Sequence, residues 1–119
     1  MCGIAGIFNL NKEPISLQLI KRVTRELNHR GPDGEGFFLE NNIALGHKRL
    51  AILDVSPRGI QPMTSKDDKW VVSFNGCIYN FLELKQELRN RGHEFISSSD
   101  TEVLVEGLAA YGADFFERL

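Results

Sequence analysis

A cysteine directly behind the initiator methionine, in Met1-Cys2-Gly3-Ile4-Ala5-Gly6, is the residue of this sequence best placed for covalent chemistry. Removal of Met1 would make Cys2 the first residue and join a thiol nucleophile to a free α-amine base in one amino acid. A free thiol ionises at about 8.5 and an α-amine at about 7.7–8.0. Near neutrality a useful share of that amine is unprotonated and can take the thiol proton, directly or through water. An internal cysteine has no such base and must recruit one. Taken alone, Cys2 also has a plainer reading, a small hydrophobe starting a strand, because free cysteines are among the most buried residues.

Other residues could serve such a nucleophile, and each has a structural alternative. Arg49 lies between two apparent strands, and its guanidinium fork can grip a carboxylate through two parallel hydrogen bonds; alone it is a surface arginine. Asn75-Gly76 offers a side-chain amide and an unhindered main-chain N–H, the donors an oxyanion hole needs; the same dipeptide is also a strong tight-turn signal. Asp100 is most simply a helix N-cap, though an acid there can also hold a substrate ammonium. No metal-ligand spacing occurs: His29, His47 and His93 are scattered, and Cys2 and Cys77 are far apart. Gly31-Pro32-Asp33-Gly34-Glu35-Gly36 lacks the Gly-Lys-Ser/Thr ending of a phosphate loop, and its residue types make it a structural turn.

The totals exclude several classes. The 119 residues suffice for one domain, 42% are hydrophobic, and the net charge is −2 with both signs interspersed. That balance offers no electrostatic footprint for nucleic acid or an anionic membrane. The amino terminus has no basic region before its short, glycine-rich apolar run, so it does not resemble a signal peptide. No apolar segment reaches membrane-spanning length. Two cysteines make no disulfide framework, and a reducing, cytoplasmic setting suits a catalytic thiol.

The elements that must position these residues follow from periodicity and punctuation. Cys2 to Asn9 is a buried strand, with Gly3 and Gly6 allowing close backbone approach. Ser16 caps a helix whose apolar residues Leu17, Ile20, Val23 and Leu27 carry it to about Asn28. A dense turn over residues 29–36 follows, then a hairpin, 37–40 with 43–45, around Asn41-Asn42. Leu50–Leu53 is a candidate third strand, and Asp54–Lys69 a long polar loop. Trp70–Phe74 predicts a strand turning at Asn75-Gly76 into a return strand, Cys77–Tyr79. Asn80 with Glu83 opens a helix that stops before Gly92. His93–Ile96 predicts a short strand, and Thr101–Tyr111 a helix stopped at Gly112. There is no internal repeat and no low-complexity linker.

Taken in order, Met1–Gly6, His29-Arg30-Gly31-Pro32-Asp33-Gly34, Gly46-His47-Lys48-Arg49-Leu50-Ala51-Ile52-Leu53-Asp54, Gln61-Pro62-Met63, Phe74-Asn75-Gly76 with Ile78-Tyr79-Asn80, and Ser99-Asp100-Thr101-Glu102 resemble the glutaminase domain of glutamine-hydrolysing asparagine synthetases. These are class II glutamine amidotransferases of the N-terminal-nucleophile (Ntn) hydrolase type, and the resemblance covers essentially all 119 residues. It implies an α+β fold, an αββα sandwich of antiparallel sheets, here incomplete at the C-terminus. It implies Cys2 as the nucleophile that attacks glutamine and forms a thioester. Asn75 and Gly76 become the oxyanion hole. Arg49 binds the α-carboxylate and Asp100 the α-ammonium, while Leu50, Ile52 and Cys77 line the glutamine pocket. The implied partners are glutamine and a synthetase domain that consumes the ammonia, with ATP and Mg2+ expected in that domain and no cofactor or metal in this segment. Homodimerisation of a full-length protein is left open.

Two departures qualify what the resemblance implies. Members of this family commonly have glutamate where this chain has Cys77, which removes one negative charge expected near the substrate ammonium. Cysteine at that place occurs in relatives that resemble N-acetylglutaminylglutamine amide synthases, so the ammonia acceptor stays open between aspartate, such a dipeptide and a cell-surface polysaccharide. The family's glutaminase domain also runs past residue 119. Residues 1–119 are therefore expected to be the N-terminal part of the domain, to expose apolar sheet surface and to be marginal alone. A degenerate, glutamine-binding domain without catalysis is the non-enzymatic alternative. A different Ntn hydrolase is the third reading, disfavoured because Arg49 and Asp100 together suit a free α-amino acid.

Overall fold

Gly3–Phe8 (β1), Gly34–Glu40 (β2) and Ile43–Arg49 (β3) form an antiparallel sheet in the order β1-β3-β2, with the helix Leu17–Arg25 (α1) between β1 and β2 in the chain. The computed structural model describes residues 1–119 as two compact units. The first comprises Met1–Ile52, Ile60–Pro62 and Ser73–Asn75, and the second Leu53–Gly59, Met63–Val72 and Gly76–Leu119.

In the first unit β3 is central, with Gly3 opposite Lys48 and Phe8 opposite Ile43 on one side, and Gly34 opposite Arg49 on the other. The expected hairpin is present and longer than its apolar residues suggested, with Asn41 supplying a positive φ of 51° at the turn. Alternation divides the sheet into two faces. Ala5, Ile7, Ala44 and Phe37 face α1 and pack with Ile15, Leu19, Ile20 and Leu27. The helix buries Ile20 and Thr24, whereas the expected Leu17 and Val23 are 39% and 38% exposed. The inward stripe is displaced because Gly46 lets α1 approach through Thr24: a Cβ on Gly46 would lie 1.8 Å from Thr24 Oγ1. Thr24 Oγ1 meets its own hydrogen-bonding need by donating to the Ile20 carbonyl at 2.7 Å. The helix ends at Arg25, three residues earlier than expected, in the turn that reaches Arg30. The opposite sheet face carries exposed Ile4, Phe8 and Ile43.

The second unit contains the short antiparallel pair Met63–Thr64 (β4) and Val71–Val72 (β5), then Phe81–Asn90 (α2) and Asp100–Tyr111 (α3). α3 is buried from Asp100 to Leu108. Its apolar residues join Leu84 and Leu88 of α2, and Phe115 from the 3-10 segment Gly112–Arg118, among the buried residues of the unit. Gly112, with φ 65°, ends α3 in a conformation that favours glycine. Tyr111 stacks on Phe115 with centroids 5.9 Å apart, while Arg91 and Arg118 lie over the Tyr111 ring at 4.7 and 4.6 Å.

Three expected strands are absent, for one shared physical reason. Residues 50–53 leave the sheet because the Leu50 N–H goes to Cys2 Sγ and the Ala51 N–H to the Asp33 carboxylate. Residues 77–79 make no return strand: β5 pairs with β4 instead, and the Ile78 N–H goes to Asp100 Oδ2 at 3.0 Å. Residues 93–96 are not a strand, and the N–H groups of Ile96 and Ser97 go to the Glu102 carboxylate at 2.9 and 2.8 Å. In each case a side chain supplies the acceptor that a neighbouring strand was expected to supply. Asp100 is also not the N-cap of α3. Ser99 is, its side chain accepting from the Thr101 N–H, and Asp100 is the first helical residue.

Candidate functional site

Cys2 directly precedes β1. Continuing the register one step beyond Gly3 and Lys48 sets it across from Arg49, the last residue of β3. Alternation then turns Cys2, His47 and Arg49 to the sheet face away from α1. Cys2 is half-buried. Its Sγ accepts the Leu50 N–H at 3.3 Å, and the thiol faces the Leu50 carbonyl at 3.7 Å.

The turn over residues 31–34 holds this corner. The Asp33 N–H donates to the Arg49 carbonyl at 2.9 Å, and the Asp33 carboxylate accepts the Ala51 N–H at 2.9 Å. Gly31 is required for that approach, since a Cβ there would sit 2.4 Å from the Lys48 carbonyl. Residues 32–33 make the turn, whereas Gly34–Gly36, expected within it, are the first residues of β2. Lys48, facing α1, forms an ion pair with Glu35 at 2.8 Å, and that hydrogen bond holds the Glu35 carboxyl below the ordinary carboxylate range.

His47 is fully buried. Burial, with the Arg49 charge adding to it, lowers its pKa to about 4, so the ring is neutral at physiological pH. Its Nδ1 lies 2.9 Å from Ser73 Oγ, and Nε2 has no partner. Beside it, the Gln61 carboxamide oxygen accepts the Phe74 N–H at 2.6 Å. These bonds fall one and two residues before Asn75, which is exposed.

Among the site residues expected from sequence, the first unit brings together Cys2, Arg49 and Leu50 and also contains Asn75. Arg49 is buried and already engaged. Ile52, expected to line the pocket, is 75% exposed. Gly76, Cys77 and Asp100 belong to the second unit. There Gly76 and Cys77 are exposed, and both cysteines are free thiols. Asp100 is 5% exposed at the first turn of α3, where the helix dipole favours an anion. Sequence reasoning quoted His47 and Gln61 only as members of motifs, and gave His47 and Ser73 no role. The spacing of His47 two residues before Arg49 on a strand, which puts both on one face, was the signal that could have found the first of them.

In the second unit Asp54 accepts from Ser56 Oγ and N–H and from the Ser98 N–H, and these bonds lower its pKa to about 2. No three His, Cys, Asp or Glu side chains gather as a metal site. No helix is long and apolar enough to cross a membrane.

Comparison with known proteins shows the family of the whole chain. The family described as a glutamine amidotransferase domain matches residues 1–119. The chain is 39% identical over its whole length to asparagine synthetase [glutamine-hydrolyzing] 1 of Bacillus subtilis, covering 19% of that protein. It is 39% identical, over 96% of its length and 25% of the relative, to a putative asparagine synthetase [glutamine-hydrolyzing] 2 of Methanocaldococcus jannaschii. It is 34% identical over its whole length to asparagine synthetase B [glutamine-hydrolyzing] of Escherichia coli, covering 21% of that protein. The chain thus spans about a fifth to a quarter of the length of these curated relatives. A mixed α+β fold with antiparallel sheets, a thiol at the start of the first strand and a match over every residue lead to one conclusion: the chain belongs to the glutamine amidotransferase domain family.

Proposed function

We propose that residues 1–119 are the glutamine-hydrolysing part of an asparagine synthetase-type amidotransferase that releases ammonia for the ATP-dependent amidation of aspartate. The observation that carries this reading is the meeting of Cys2, the Leu50 N–H and Arg49 at one end of the sheet. With Met1 removed, the Cys2 α-amine takes the thiol proton, and sulfur attacks the side-chain amide carbon of glutamine. The C=O π electrons move to oxygen, and Asn75 Nδ2 and the Gly76 N–H donate to that oxyanion. The carbon–nitrogen bond breaks as the Cys2 α-ammonium gives its proton to the departing NH2 group, which leaves as ammonia, and a thioester to Cys2 remains. Water then releases glutamate and restores the thiol. Arg49 grips the α-carboxylate, Asp100 receives the α-ammonium, and the main chain of Leu50 and Ile52 borders the substrate.

The exposed apolar face of the first sheet supports an Ntn αββα sandwich, in which a second sheet covers Ile4, Phe8 and Ile43. ATP and Mg2+ are assigned to a synthetase domain outside residues 1–119, and the two free thiols suit a cytoplasmic protein. Cys77 favours one second reading, an acceptor other than aspartate, because the family's usual glutamate is replaced there. The test is glutamine hydrolysis by the full-length protein and its Cys2→Ala variant, with aspartate-dependent asparagine formation measured in parallel. Loss of both activities is expected. Hydrolysis retained by Cys2→Ala refutes the mechanism, and hydrolysis without asparagine formation moves the acceptor to the second reading.

A further inference from the structure

Two buried polar side chains anchor the chain just before Asn75, and the reaction above uses neither. His47 and Gly36 are cross-strand partners on β3 and β2. A Cβ on Gly36 would lie 2.1 Å from the Gln61 carbonyl oxygen, so Gln61 sits directly over that glycine. From there the Gln61 carboxamide oxygen accepts the Phe74 N–H at 2.6 Å. His47 Nδ1 meets Ser73 Oγ at 2.9 Å. His47 of β3 and Gln61 of the loop over Gly36 thus hold the segment Ser73–Asn75 through two separate hydrogen bonds, at consecutive residues.

The unpartnered Nε2 assigns the tautomer. A proton on Nε2 would leave a buried donor with no acceptor, which native interiors rarely tolerate. With the proton on Nδ1, His47 donates to Ser73 Oγ and only an Nε2 lone pair is left unpaired. The ring is neutral, so this donor adds no charge near Arg49.

We propose that His47 is a positioning residue for oxyanion stabilisation: its Nδ1–H on Ser73 Oγ, together with the Gln61 carboxamide on the Phe74 N–H, sets the main chain that presents Asn75. The inference rests on the role given to Asn75 above. A donor to an oxyanion is effective only when held in place before charge develops, and a displacement of about 1 Å can cost about 100-fold in rate. Two bonds to Ser73 and Phe74 remove the freedom that an exposed Asn75 would otherwise have.

The experiment uses the full-length protein and steady-state glutamine hydrolysis. Asparagine carries its amide nitrogen as many bonds from the backbone as His Nδ1, and glutamine one bond farther. His47→Asn is therefore expected to keep kcat within about threefold, while His47→Gln and Ser73→Ala lower it about 10- to 100-fold with KM for glutamine changed less than about threefold. Alkylation of Cys2 by iodoacetamide, a displacement that develops no oxyanion, should proceed at the wild-type rate in all three. In an Asn75→Ala background, already slowed, Ser73→Ala should cause no further loss, because both act through one donor. Thermal melts establish that each variant is folded at the assay temperature. Unchanged kcat in Ser73→Ala, losses that multiply in the double variant, or slowed alkylation overturns the positioning role. If Asn75→Ala itself keeps wild-type kcat, the oxyanion assignment fails instead, which separates the two outcomes.

Discussion

The main-chain N–H of Leu50 points at the sulfur of Cys2 from 3.3 Å, although the two residues are 48 positions apart. Their meeting depends on the turn at Asp33, whose carboxylate holds the next N–H, that of Ala51. Asp33→Ala should free this corner at a cost of about 1 kcal/mol. Faster hydrogen exchange at the Ala51 amide and a kcat/KM for glutamine lowered about fivefold are expected. Asp33→Asn, which keeps an acceptor oxygen, should recover most of both.

Arg49 and Asp100 are assigned opposite ends of the same substrate. Arg49→Lys keeps the charge and loses the fork, so KM for glutamine should rise about tenfold or more. Asp100→Asn should raise KM as well. Because Asp100 Oδ2 also accepts the Ile78 N–H, Asp100→Ala should in addition lower the melting temperature. A KM unchanged in Arg49→Lys would remove Arg49 from the carboxylate site.

Two groups make acid stability fall in two separate windows. His47 has a folded pKa of about 4 against an ordinary value of 6.5. The unfolded chain therefore binds more protons between these limits, and stability falls as pH drops from 6.5 towards 4, by on the order of 3 kcal/mol. Asp54, lowered from 3.8 to about 2 mainly by its Ser56 hydrogen bond, stabilises the fold above pH 3.8 and loses that contribution as pH falls towards 2. Urea midpoints measured from pH 8 to 3 should show a slope between 6.5 and 4 that is absent in His47→Asn.

Close approach at two glycines predicts overpacking. Alanine at Gly46 would drive a methyl group into Thr24, and alanine at Gly107 would place one 2.2 Å from the Phe115 ring. Each should destabilise by about 1–3 kcal/mol. Gly107→Ala should leave KM for glutamine unchanged, so a melt shift without a KM shift is the expected pattern. A wild-type melting temperature in both variants would contradict the packing described.

How much of this was legible beforehand depends on the range of the interaction involved. The hairpin at Asn41-Asn42, the helix stops at Gly92 and Gly112, the α+β class and the chemistry available to a cysteine behind Met1 are written in a few adjacent residues. Turn conformation and side-chain periodicity act at that range. The ordered motifs also carried the family, which the whole-length match bears out. Tertiary structure alone decided where main-chain N–H groups found acceptors. Leu50, Ile78 and Ile96 looked like strand residues by composition, yet their N–H groups went to Cys2, Asp100 and Glu102. His47 looked like an isolated histidine until the sheet buried it against Ser73. The acceptors of Leu50 and Ile78 and the partner of His47 lie 22 to 48 positions away, and that of Ile96 lies across a loop at the start of the next helix, so a strand-like local pattern carries no record of which acceptor will reach a given N–H.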